Sequence, residues 1–184
     1  MKRIFVVRHC KAEEQAPSAE LTEQGEKQAI ELADFFTDRN IDYIVSSPYE
    51  RAHATIKPLA QHRQLEIQLD DRLTERILTA KDHPDWYDML RRTFDDLDLH
   101  YEGGESSHEA TQRILHVLND ILQSNHTNAV IVSHGNLISL LLHYFDPQMG
   151  FKEWERMTNP DVFELLFEEK SSEQRPLLQR IWVN

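Results

Sequence analysis

The sequence predicts an α/β fold, a mostly parallel sheet with helices on both faces, closed by a C-terminal hairpin. Three observations predict it. The first strand-like run, "IFVV" (4–7), is apolar at every position, as a strand buried on both faces must be. Further strand-like runs then alternate with stretches of helical period. Finally, runs at 162–168 and 178–183 are joined by the polar loop "KSSEQRP" (170–176), the pattern of a hairpin.

Each element can be justified in order. After the strand at 4–7, Thr22 can cap a helix whose apolar face is Ala29, Leu32, Ala33 and Phe36. The second strand, 43–46, runs into "SSPYER". There Ser47 reads as an N-cap, Pro48 as the first helical residue and Glu50 as the capping-box partner. Arg51 then falls in the first turn, where a cation opposes the helix dipole by about 0.3–1 kcal/mol. A bound anion would reverse that sign.

The third strand, 65–69, leads into "DDRLTE" (70–75). Residues 79–101 form the one candidate insertion, with Trp86, Leu90 and Phe94 at helical spacing. It is expected to pack on the core, and a role as substrate lid is compatible with that. "EGG" (102–104) marks a turn, and the box Ser106-Ser107-His108-Glu109 opens a helix lined by Ala110, Ile114, Val117 and Ile121. A fourth strand at 129–133 ends in "SHGN". The apolar "LISLLLHYF" (137–145) reads as a buried helix, because a bilayer span needs ~20 residues. With no repeat or linker, 1–184 reads as one domain with a small helical insertion at about 79–101.

The totals exclude some function classes. A net charge of −12, with 32 acidic against 20 basic residues, argues against nonspecific nucleic-acid binding. It does not forbid an anion site, because screening limits long-range repulsion to ~8 Å at physiological salt. The single cysteine, Cys10, leaves no internal disulfide and fits a reducing compartment. The opening apolar run stops after four residues at Arg8-His9, unlike a secretory leader. A cytoplasmic location without membrane association is expected; oligomeric state is not legible.

In parallel sheets, ligands gather outside the carboxyl ends of the strands. Those ends carry Arg8 and His9, then Arg51, then Glu75, then His134. Gly135 lets backbone N–H groups of the following helix approach an anion. A neutral imidazole can attack phosphorus and form a covalent intermediate. Guanidinium forks match phosphate oxygens and stabilise transition-state charge. A carboxylic acid can protonate the leaving oxygen and later take a proton from water. These residues supply each role without a metal or cofactor. A metal-dependent hydrolase using His9, His134, Asp70, Asp71 and Glu75 stays open as a rival, although no ligand-spacing signature supports it. The other eight histidines receive no chemistry.

With those residues in hand, the chain resembles the histidine phosphatase superfamily, of phosphoglycerate mutase-like fold. Arg8-His9-Cys10 stands where the family has Arg-His-Gly, and "LTEQGEKQA" (21–29) matches its next helix start. Ser46, Ser47, Arg51, Ala52 and Thr55 match the following motif; Leu73 and Glu75, Gly104-Glu105-Ser106 and "VSHGNLI" (132–138) complete an ordered set. The resemblance implies a three-layer α/β/α sandwich and phosphorylation of His9 during turnover. It further implies that Arg8, Arg51 and His134 cradle the phosphoryl group and that Glu75 donates the proton. Two departures matter. Cys10 replaces the usual Gly, costly if the position needs positive φ, which keeps a noncatalytic phosphate-binding module open. Ala12 and Gln15 replace polar positions common in mutases, with Lys11 a candidate substitute in substrate binding. Phosphatase activity is therefore expected ahead of mutase-type transfer. The substrate would be a phosphorylated small molecule or, given the resemblance of "RHCKAE" to the short phosphohistidine-phosphatase branch, a phosphoprotein.

Overall fold

The computed structural model describes residues 1–168 and 175–182. Six strands form one sheet: β1 (Lys2–Arg8), β2 (Tyr43–Ser46), β3 (Ile67–Leu69), β4 (Asn128–Ser133), β5 (Asp161–Phe167) and β6 (Leu177–Arg180). Their order is β3-β2-β4-β1-β5-β6. The first four run parallel, while β5 pairs antiparallel with both β1 and β6. The expected parallel sheet and terminal hairpin are both present. Position 183 and most of the "KSSEQRP" loop lie outside the described residues.

The uninterrupted apolar run of β1 has a direct cause: its two faces enter two cores. Ile4 and Val6 pack with α4 (Ser107–Gln123) and α5 (Gly135–Phe145). Phe5 and Val7 pack with α1 (Glu23–Phe35) and α2 (Glu50–Arg63). Full burial of each such side chain stabilises the fold by about 1.5–3 kcal/mol. The result is three layers, with β1 and β4 at the centre. Two shorter helices complete the fold, α3 (Trp86–Asp95) in the insertion and α6 (Phe151–Glu155). Among the described residues, no helix is long and apolar enough to cross a membrane.

Thr22 and Ser106 cap α1 and α4 as the sequence predicts, the latter in a full capping box. Two boundaries differ. The helix after β2 starts at Glu50, not Pro48, and its N-cap is Tyr49 without a side-chain bond. The Glu50 N–H goes instead to the Pro17 carbonyl, and the Ser47 hydroxyl is drawn into the site described below. β3 begins at Ile67, not Leu65, because Gln64 leaves α2 in a left-handed conformation and the Leu65 N–H bonds back to Ala60. Within the insertion, Leu90 is buried and Phe94 packs on the core, but Trp86 is 49% exposed.

Candidate active site

β1 and β4 are hydrogen-bonded neighbours in register, with Arg8 opposite Ser133, so His9 and His134 leave the sheet side by side. Their ring centroids are 5.2 Å apart. The His9 N–H is fixed to the Ser133 carbonyl, and Asn159 Nδ2 donates to the His9 carbonyl at 2.7 Å.

The contacts of His9 set its tautomer. Nδ1 lies 2.7 Å from the Cys10 carbonyl, which can only accept, so Nδ1 carries the proton. The lone pair is left on Nε2. There it accepts from Arg51 Nε at 3.3 Å. Burial, opposed by the Cys10 bond and reinforced by Arg51 and Arg8, lowers the His9 pKa to about 3. A neutral imidazole with a directed lone pair is the form a nucleophile requires.

His134 is fully buried. Its Nε2 meets the Ser47 hydroxyl at 2.8 Å, and the Tyr49 ring stands edge-on at 5.0 Å. Burial first, then neighbouring His9 and the arginines, hold its pKa well below the usual histidine value. Both histidines are therefore neutral near pH 7.

Two guanidiniums flank the rings. Arg8 donates through Nη1 to the Met157 carbonyl, while Arg51 uses Nη1 on the carbonyls of Gln15 and Ala16. Arg51 is 1% exposed. Burial lowers the pKa of each, with Glu75 acting in the opposite direction. Gly135, the first residue of α5, lies against Arg8; a Cβ there would come 3.0 Å from the guanidinium. Glu75 sits at the same helix start, its carboxylate accepting from Asn136 N and Leu137 N, and also from Arg76 N. Oε2 accepts one bond and keeps a second lone pair on which a proton can ride.

The five expected residues, with Gly135, therefore meet at one edge of the sheet. Lys11 is held at α1. Its Nζ donates to Gln24 at the exposed surface, and its backbone N–H bonds Gln28. Gly25 presses on its carbonyl so closely that a Cβ would approach to 2.0 Å. Lys11 is thus tied to α1. Asp70 also departs from the metal rival: its carboxylate is gripped by Arg72 at 2.7 Å. Among the described residues, no group of three or more His, Cys, Asp or Glu is arranged to hold a metal ion. Cys10 is buried without a left-handed backbone, since Gln64 is the positive-φ non-glycine residue found among the described residues. Its N–H bonds Thr55 Oγ1, and burial pushes its thiol pKa up to about 12.

Several residues escape sequence reasoning. Asn159 reaches His9 only because β5 pairs antiparallel with β1, setting Asp161 opposite Arg8. Arg76, 5% exposed, donates to the Glu105 carbonyl and to Thr93 Oγ1 of α3; adjacency to Glu75 was its one available signal. Glu105 in turn pairs with Arg113, which holds the Arg72 and Thr74 carbonyls and so the approach to Glu75. Arg8 Nε, Arg76 Nη2 and Asn136 Nδ2 are buried donors without an acceptor among the described residues. Each such donor costs about 1–3 kcal/mol until satisfied, which an anion can do.

A cleft of about 540 Å³ opens from Arg51 and Glu75. Gln15, Tyr49 and Arg76 border its inner part, and Ile77, Leu78 and Trp86 its outer wall.

Residues 4–175 match the histidine phosphatase superfamily (branch 1). The chain belongs to that superfamily. Within reach of this branch 1 chain is phosphoserine phosphatase 1 of Hydrogenobacter thermophilus, 29% identical over 73% of this chain and 71% of the relative. Among solved structures, mycobacterial glucosyl-3-phosphoglycerate phosphatase complexed with VO3 superposes with a TM-score of 0.78. It shares 24% identity, with 98% of each chain covered. A phosphoserine phosphatase from Entamoeba histolytica, in complex with 3-phosphoglyceric acid, gives a TM-score of 0.76. Its identity is 22%, over 100% of this chain and 98% of that one. Both superpositions agree with the phosphoglycerate mutase-like α/β fold of the superfamily.

Proposed function

We propose that this chain is a phosphatase that hydrolyses phosphomonoesters through a phosphohistidine on His9. The observation that carries the reading is the neutral His9, with its proton on Nδ1 and its Nε2 lone pair toward Arg51. As the ester enters, Arg51 Nε–H turns from the imidazole to a phosphoryl oxygen and releases the lone pair. His9 Nε2 then bonds phosphorus as the P–O bond to the leaving alcohol breaks. Arg8, Arg51, His134 and the Gly135 N–H hold the phosphoryl oxygens through this step.

Glu75, protonated, gives its proton to the leaving oxygen. As a carboxylate it then takes a proton from the water that attacks the phosphohistidine, releasing phosphate and restoring His9. No step requires a metal or cofactor. Unstrained Cys10 removes the backbone objection to turnover and favours an enzyme over a noncatalytic phosphate-binding module. Lys11, bound to Gln24, lends no support to mutase-type substrate binding.

Residues 1–184 act as one phosphatase domain, with the insertion at about 79–101 as its selector. The substrate is a phosphorylated small molecule, consistent with the names of the relatives, and the enzyme works in the cytoplasm. The test is brief exposure to a labelled phosphomonoester, followed by denaturing quench and mapping of an acid-labile adduct. Label on residue 9 is expected. Sustained hydrolysis with label on another residue, or with none, overturns the assignment.

A further inference from the structure

Beyond the phosphoryl end, the cleft is walled by the insertion and by the two residues that precede it. Ile77 and Trp86 line it and are 51% and 49% exposed, and Leu78 lies between them in the lining. Large apolar side chains left half open beside a reactive centre suit an apolar partner.

The wall is also braced. Trp86 meets Tyr87 edge-on at 5.7 Å, Tyr87 meets Phe151 of α6 at 5.2 Å, and Phe94 meets the same Phe151 at 5.7 Å. The Tyr87 hydroxyl bonds Glu155. At the other end of α3, Arg76 Nη1 and Ser107 Oγ tie down Thr93. Trp86 is therefore presented by a helix anchored at both ends.

At the outer rim, Lys81 stands next to Asp82, and His83 Nδ1 faces Asp85 at 3.9 Å. Among the residues lining the rim, the charges of Lys81 and Asp82 offset each other. The cleft volume of about 540 Å³ lies within the range that encloses drug-sized ligands. That is more space than the three-carbon alcohols of phosphoserine or 3-phosphoglycerate would fill.

We propose that Trp86 and Ile77 form the leaving-group subsite, and that the preferred substrate is a phosphate monoester of an alcohol with a bulky apolar body. This rests on the phosphatase reading, because Glu75 defines which end of the cleft receives the alcohol. The ester oxygen lies by Glu75, and the apolar body extends outward along Ile77 and Trp86.

The test is calorimetric binding of two analogues that cannot be hydrolysed, 3-phenylpropylphosphonate and 2,3-dihydroxypropylphosphonate, with vanadate alongside. The native protein is expected to favour the phenyl compound by about tenfold or more, as one or two buried apolar groups provide. Trp86→Ala brings the ratio close to one, and Trp86→Phe keeps most of it. A ratio near one in the native protein overturns the proposal. So does a ratio that survives Trp86→Ala, or a failure to bind either phosphonate while vanadate still binds. Loss of vanadate binding as well would instead overturn the phosphatase reading beneath it.

Discussion

Arg51 and Trp86 line the same cleft, yet Arg51 is 1% exposed and Trp86 49%. The difference reflects how each end is built. The inner end stands on strand termini, where sheet hydrogen bonds and packing on two faces hold the backbone. Buried cations and neutral imidazoles can persist there because Asn159, Met157 and Ser47 orient them. The outer end is a loop and a helix held by ring contacts and a few bonds to Thr93. Chemistry and selection are therefore separable: inner changes should act on turnover, outer ones on which alcohol is accepted.

The largest test of that division is His9→Ala. Turnover is expected to fall by about 10⁴-fold or more, because the proposed mechanism assigns the phosphoryl intermediate to no other group. The thermal midpoint should stay close to the native value. Residual hydrolysis within tenfold of native would end the nucleophile assignment.

The inner end also predicts an acid liability. The folded pKa of His9, about 3, lies below its ordinary value of 6.5, so the unfolded chain binds the extra proton across that window. Stability contributed by keeping His9 neutral is thus complete above pH 6.5 and is lost as pH falls toward 3, by at most ~5 kcal/mol. Buried His134 acts in the same direction. Urea unfolding of native protein and the His9→Ala variant, followed from pH 7 to 4, isolates the His9 share. Parallel curves would contradict it.

Glu75→Gln should come next, lowering kcat by about 10³-fold with esters of poor leaving alcohols. The loss should shrink for esters whose alcohol leaves without protonation. An equal loss for both kinds would make Glu75 a positioning residue through its bonds to Asn136 and Leu137. Ser47→Ala, which removes the hydroxyl from His134, is expected to cost about tenfold in kcat with a smaller change in KM. A change in alcohol preference from Ser47→Ala would blur the line between the two ends.

Much of the inner end was legible beforehand. Arg8, His9, Arg51, Glu75 and His134 each follow a strand-like run, and parallel strands carry such groups to one edge. Helix caps at Thr22 and Ser106 were equally readable, because a cap is a contact over three residues. Ser47 has the local pattern of a cap, but nothing local reveals that His134, 87 positions away, meets its hydroxyl and that Tyr49 takes the cap position. The bonds of Lys11 are not legible for the same kind of reason: Gln24 and Gln28 hold it from the next helix.

The sequence by itself determined the succession of strands and helices, and which chemical groups end the strands, because periodicity and capping act over a few residues. Tertiary structure alone decided the meeting of Arg51 Nε with His9 Nε2, the reach of Asn159 to the His9 carbonyl and the standing of Trp86 at the cleft. Those depend on strand register and on ring contacts between distant segments, and such contacts exist only once both cores have closed on the sheet.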